Sequence, residues 1–90
     1  MTTAEKSDWY VYILRCTDNT LYTGITNDIN RRIAEHNRGV GAKYTRGRTP
    51  VELVFTETLP DRSAALRREL VIKRMKAAEK QLMIEQTESS

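Results

Sequence analysis

Tyr10, Tyr12 and Tyr22 fall on two short runs of β-branched and aromatic residues, and the segment that follows, NDINRRIAEHNRG, carries Arg31, Arg32 and the chain's single histidine, His36. Phenols and an imidazole hold and pass protons, and a guanidinium presents a planar fork of donors to an oxyanion. Arg32 and His36 are four residues apart, so on a helix they project from one face. Six cations, Arg31, Arg32, Arg38, Lys43, Arg46 and Arg48, lie between residues 31 and 48 against Glu35 alone. Such a stretch suits a polyanion, because each phosphate it neutralises releases counterions. A solvated helix face followed by a soluble loop has the same composition, and charge by itself does not separate the two.

Those groups need elements to bring them together. Trp9 to Cys16 and Thr20 to Ile25 read as the arms of a β-hairpin, with Thr17-Asp18-Asn19 between them. Loop length decides which tyrosines share a face, since a shift of one residue turns a strand over. A two-residue Asp18-Asn19 turn would set Arg15 opposite Tyr22 and leave Tyr12 and Tyr22 on opposite faces. A three-residue loop with Asn19 left-handed sets Leu14 opposite Tyr22 and Tyr12 opposite Gly24. The second is favoured, because asparagine tolerates positive φ better than most residues with a side chain. It gathers Tyr10, Tyr12, Tyr22 and Gly24 on one side.

A helix is expected from a cap at Thr26 or Asn27 to Gly39, with Ile29 and Ile33 as its buried edge and Arg32 and His36 bordering that edge. After the loop GVGAKYTRGRTP, Val51 to Thr58 alternates as a third strand, Val51, Leu53 and Phe55 against Glu52, Val54 and Thr56. Pro60 and Asp61 open a second helix on which Ala65, Leu66, Glu69, Leu70, Ile72 and Lys73 recur at helical spacing, and Ala77 to Ile84 forms a further short helix. The order ββαβαα predicts an α+β fold, a small three-stranded antiparallel sheet flanked by helices.

Ninety residues, 39% apolar and 30% charged, suit one globular domain with a modest core, expected over residues 8–84 between flexible tails at 1–7 and 85–90. Cys16 is the only cysteine, so no internal disulfide forms, and one histidine leaves no Cys/His set for structural zinc. No run approaches the roughly 18 apolar residues of a membrane span, and MTTAEKSD lacks a signal-peptide pattern. These features point to a cytoplasmic protein, expected as a monomer.

Tyr10-Val11-Tyr12, then Tyr22-Thr23-Gly24, then Arg32 eight residues past that glycine and His36 four past the arginine together resemble the GIY-YIG nuclease family. The resemblance runs over roughly residues 8–84 and is closest to the small stand-alone, YhbQ-like bacterial members. It implies that one of Tyr12 and Tyr22 acts with the attacking water, with Tyr22 the choice here, while the other orients groups around the scissile phosphate. A phenol of ordinary pKa, about 10, is a poor base unless Arg32 or a metal ion lowers it. Gly24 matches the motif glycine, which lets a nucleic-acid backbone or a helix come close. Arg32 matches the arginine that meets charge on phosphate oxygens, His36 a position that places water or phosphate, and Glu69 a carboxylate holding one divalent ion, Mg²⁺ or Mn²⁺. Lys73, one turn after Glu69, contacts phosphate or pairs with that glutamate. Tyr10 replaces the opening glycine, Ile25 stands where several members carry lysine, and no asparagine follows Glu69 between Leu70 and Ile84.

The function implied is metal-dependent hydrolysis of DNA phosphodiesters, of the structure-specific or repair kind, with RNA as an alternative substrate. Two other readings stand beside it, a nucleic-acid-binding module that cleaves slowly or not at all and a protein-interaction domain. In the loop, Lys43, Arg46 and Arg48 suit phosphates and Tyr44 suits stacking on an exposed base, with Arg31 adding charge from the helix. An ordinary mobile loop has the same residues.

Overall fold

The computed structural model describes residues 8–88. The expected N-terminal tail, residues 1–7, and the last two positions of the expected C-terminal tail lie outside the described residues. Six elements follow one another: β1 (Trp9–Arg15), β2 (Leu21–Thr26), α1 (Ile29–Asn37), β3 (Glu52–Leu59), α2 (Arg62–Lys73) and α3 (Ala77–Glu88). The strands form one antiparallel sheet in the order β2-β1-β3, so β1 is central. Its stretch Val11-Tyr12-Ile13-Leu14 is wholly buried. That is why β1 reads as a continuous apolar run rather than an alternating one: both of its faces are covered.

The hairpin adopts the three-residue loop. Asn19 has φ 72°, and the turn closes with Cys16 N–H donating to Thr20 O (2.9 Å) and Asn19 N–H to Cys16 O (2.9 Å). Asp18 steadies it by accepting from both the backbone N–H and the hydroxyl of Thr20. The resulting register pairs Tyr12 with Gly24 and Leu14 with Tyr22. On that face Tyr12, Leu14, Cys16 and Val51 pack with Tyr22, Ile29 and Ile33, which seats α1. On the other face Val11, Ile13 and Val54 pack with Ala65, Ile72 and Ile84, which seats α2 and α3.

Three local expectations are corrected. Asp28, not Thr26 or Asn27, caps α1, its carboxylate accepting from Arg31 N–H (3.1 Å), while Thr26 Oγ1 accepts from Asp28 N–H and is buried. In β3 the alternation breaks at a bulge: Ile13 pairs with Phe55 but Leu14 with Leu53, so Val54 is the extra residue. Phe55 and Val54 therefore both join the α2/α3 core, which a strict period of two forbids. Residues 85–88, expected in the tail, continue α3, which is tied down one residue earlier by the fully buried Ile84. α2 starts at Asp61 as expected, its side chain accepting from Ala64 N–H (2.8 Å). Leu70, however, is half exposed, because the helix turns Ala65 and Ile72 toward the sheet.

Candidate active site

Tyr12 is 1% exposed, and its ring end lies against Gly24 on the neighbouring strand. A Cβ built on Gly24 would stand 2.6 Å from Tyr12 Oη and 3.1 Å from Tyr22 Cε2. The missing side chain thus makes room for two phenols. Gly24 is itself buried, so the expectation that it admits a nucleic-acid backbone or a helix is corrected: Tyr12 fills that space. Burial pushes the Tyr12 phenol up to about 12; the Arg32 guanidinium beside its oxygen pulls back, and the neighbouring Tyr22 and Glu69 add to the rise. Tyr12 therefore holds its proton at neutral pH.

His36, on α1 and fully buried, sits where that hydroxyl ends, with Nε2 2.9 Å from Tyr12 Oη. Its other nitrogen, Nδ1, is 2.7 Å from Thr45 Oγ1 in the loop that follows α1. Thr45 is also fully buried and donates its hydroxyl proton to Ala42 O (3.1 Å). The loop comes this close because residue 41 is glycine: a Cβ there would lie 2.5 Å from His36 Nδ1 and 2.8 Å from His36 Cα. Burial, then the nearby Arg32 charge, lowers the histidine's pKa below its ordinary value, with Glu35 opposing. The ring is accordingly neutral at neutral pH.

Tyr22 completes an aromatic nest around the imidazole. Its ring centroid is 5.3 Å from that of His36 and 6.3 Å from that of Tyr12, and it stacks on Tyr44 at 5.9 Å. Tyr22 is only half-buried, so of the two motif phenols it is the one open to solvent. Arg32 reaches the same place from α1. Its NH1 donates to Glu35 Oε1 (2.9 Å), its NH2 to Gly41 O (3.3 Å), and its side chain is 30% exposed. The Glu35 contact raises the guanidinium's pKa, and Arg32 in turn holds the Glu35 carboxyl below its ordinary range. Tyr12, Tyr22, Arg32 and His36, drawn from two strands and one helix, make a single cluster.

Residues 8–82 match the model of the GIY-YIG catalytic domain. The chain belongs to the GIY-YIG family. It is similar to a UPF0213 protein of Natronomonas pharaonis, 56% identical over 78 residues that span 87% of this chain and 92% of that relative. A UPF0213 protein of Staphylococcus haemolyticus is 52% identical over 77 residues, 86% of this chain and 94% of its own. Among solved structures, the solution NMR structure of a UPF0213 protein from Bacillus halodurans matches with TM-score 0.57 and 45% identity, covering 87% of this chain and 83% of that one. That of a protein from E. faecalis matches with TM-score 0.63 and 36% identity over 94% and 91% of the two chains.

The remaining GIY-YIG positions are placed less uniformly. Glu69 lies on the stripe of α2 that faces the sheet, between the buried Ala65 and Ile72, and its side chain is 14% exposed. Its charge reaches Tyr12 only as the smallest influence on that phenol, and its carboxylate pairs with Lys73 Nζ at 3.3 Å. Lys73 is thus paired with that glutamate and half exposed. Arg48 lies along the surface of the loop: Nε donates to Asp18 (2.9 Å), NH1 to Tyr44 O (2.6 Å), and its guanidinium covers the Tyr44 ring at 4.3 Å. Its own carbonyl accepts from the N–H and hydroxyl of Thr17, which stitches the loop to the hairpin turn. Arg48 and Tyr44 thus engage each other within the fold while both stay partly exposed. Arg31 is shared with Glu35 and Asn27, whereas Lys43 and Arg46 are exposed and, among the described residues, have no carboxylate within 4 Å.

Glu35, Gly41 and Thr45 also shape the cluster. Glu35 was legible, being three residues after Arg32 on the same helix. Thr45 and Gly41 were not, because nothing local reveals that a loop nine residues on folds back over an imidazole. A concavity of about 860 Å³ lies elsewhere, between the hairpin turn and the start of α3, lined by Arg15, Leu21 and Lys80 among others.

Proposed function

We propose that this GIY-YIG domain hydrolyses phosphodiester bonds in DNA with the help of one divalent metal ion. The observation that carries the reading is the convergence of Tyr12, Tyr22, Arg32 and His36 on one spot at the foot of a basic loop. Arg32 is the exchangeable cation there. Its fork leaves Glu35 for two oxygens of the phosphate and meets the charge that develops on them during in-line attack. Tyr22, half-exposed beside the neutral imidazole, orients the attacking water and relays its proton outward. Tyr12 and His36, buried and uncharged, do not touch substrate; they hold the Tyr22 ring and the Arg32 fork in place. Lys43 and Arg46 guide the backbone of the nucleic acid toward the cluster.

Among the described residues no group of three or more His, Cys, Asp or Glu side chains is placed to hold a metal. A single hard oxygen donor, Glu69, fits an ion such as Mg²⁺ that keeps most of its waters and completes its shell with phosphate oxygens. Such an ion would supply charge neutralisation at the leaving oxygen. For Glu69 to serve it, Lys73 must let go.

A second reading has its own observation. Both key charged groups, Arg32 and Glu69, are neutralised internally by Glu35 and Lys73, which favours a module that binds nucleic acid and cleaves slowly. Cleavage assays on defined DNA and RNA with Mg²⁺ and Mn²⁺ separate the two. The hydrolase reading expects cleavage by the wild type that falls by at least about a hundredfold in Arg32→Ala and in Glu69→Ala. Binding at low salt without cleavage by any form would establish the module instead, and cleavage that survives in both variants would place the chemistry elsewhere.

A further inference from the structure

We propose that Thr45 is a positioning residue of this site: it fixes the tautomer of His36 and, through that ring, the direction of the Tyr12 hydroxyl. The inference rests on the hydrolase reading only for its kinetic consequence; the tautomer stands on geometry. Thr45 has one hydroxyl proton, and Ala42 O, an acceptor only, lies 3.1 Å away to take it. With the proton directed there, the lone pairs of Oγ1 face His36 Nδ1 at 2.7 Å, and the hydrogen between them belongs to Nδ1. A neutral imidazole has only one N–H, so Nε2 is bare and accepts from Tyr12 O–H at 2.9 Å.

The opposite arrangement fails on the other side of the ring. With Nε2 protonated, Tyr12 Oη would receive a hydrogen from the imidazole, which is the one hydrogen-bond partner of that oxygen among the described residues. Its own proton would be left in a buried pocket without an acceptor, a penalty of the kind that decides between hydrogen-bond patterns. In the arrangement inferred here every donor points the same way, from Tyr12 through His36 to Thr45 and the Ala42 carbonyl, and such chains reinforce one another. The direction of the Tyr12 hydroxyl beside Tyr22 and Gly24 is thereby set from a threonine on the loop. Gly41 is what allows this, because any side chain there would collide with His36.

One histidine in the chain gives one set of ring signals, so the test is direct. Long-range ¹H–¹⁵N correlation spectra of uniformly ¹⁵N-labelled protein near neutral pH should show His36 protonated at Nδ1 and bare at Nε2. Thr45→Ser should keep that pattern, and Thr45→Val should shift it toward the Nε2–H form or a mixture. In the cleavage assay Thr45→Val should lower kcat by up to about a hundredfold with KM little changed, and Thr45→Ser should restore it. An Nε2–H ring or an imidazolium in the wild type overturns the proposal, as does an unaltered spectrum in Thr45→Val. If the valine variant does not fold, the wild-type and serine spectra still decide. A protein that cleaves nothing but shows the Nδ1–H ring refutes the hydrolase reading and leaves this one standing.

Discussion

Tyr12 shows how a single side chain changes character with its surroundings. In water its phenol would begin to ionise near pH 10; folded, burial pushes that to about 12. The unfolded chain therefore sheds a proton that the folded one keeps, and stability falls as pH rises through the window from about 10 to 12, by at most about 3 kcal/mol. Denaturant titrations across that range should show the loss in the wild type and a flatter profile in Tyr12→Phe. His36 works in the opposite window. Surrounded by Tyr12 of β1, Tyr22 of β2, Arg32 and Glu35 of α1 and Thr45 of the loop, it is held neutral with a lowered pKa. The unfolded histidine takes up its proton first as pH falls below about 6.5, so stability drops on the acid side as well. Gly24→Ala forces a methyl group against Tyr12 Oη and should destabilise the fold by about 1–3 kcal/mol, read from the denaturation midpoint.

At the scale of elements, the site is made by what holds the loop between α1 and β3 in place. Arg48 ties it to the hairpin turn through Asp18 and Thr17, Asn37 Oδ1 accepts from Val51 N–H (2.8 Å) at its far end, and Gly41 lets it lie on His36. Arg48→Ala should thus act at a distance: faster amide exchange from Ala42 to Thr45 and weaker catalysis, with little change in the global unfolding midpoint. The caps of the helices are simpler. Asp28→Ala removes the acceptor of Arg31 N–H and should cost about 1 kcal/mol, with α1 fraying from its first turn.

The whole molecule is a sheet with two differently employed faces. α2 and α3 cover one with an apolar core, while α1 and the basic loop cover the other with the tyrosine cluster. No helix among the described residues is long and apolar enough to cross a membrane. Beside the tyrosine cluster, Lys43 and Arg46 are exposed loop cations with no carboxylate within 4 Å among the described residues, so they add to the attraction for a polyanion there. Reversing both to glutamate should weaken DNA binding and reduce the slope of log affinity against log salt by roughly two phosphate contacts. Arg48 reversal should alter binding through the loop's order instead.

Much of this was legible from residue order alone. The hairpin loop followed from Asn19, the shared face of Tyr12, Tyr22 and Gly24 followed from that loop, and Arg32 with His36 followed from helical spacing. These are local rules, with periods of two and of nearly four and a turn that tolerates one left-handed residue. What tertiary structure decided lies across longer separations. Val54 faces the core because a bulge inserts it, Arg48 packs on the ring of Tyr44, and Thr45 reaches His36 because Gly41 leaves room. Each depends on which segments are brought together when the sheet and helices pack, and no short stretch of sequence encodes its partner across the fold.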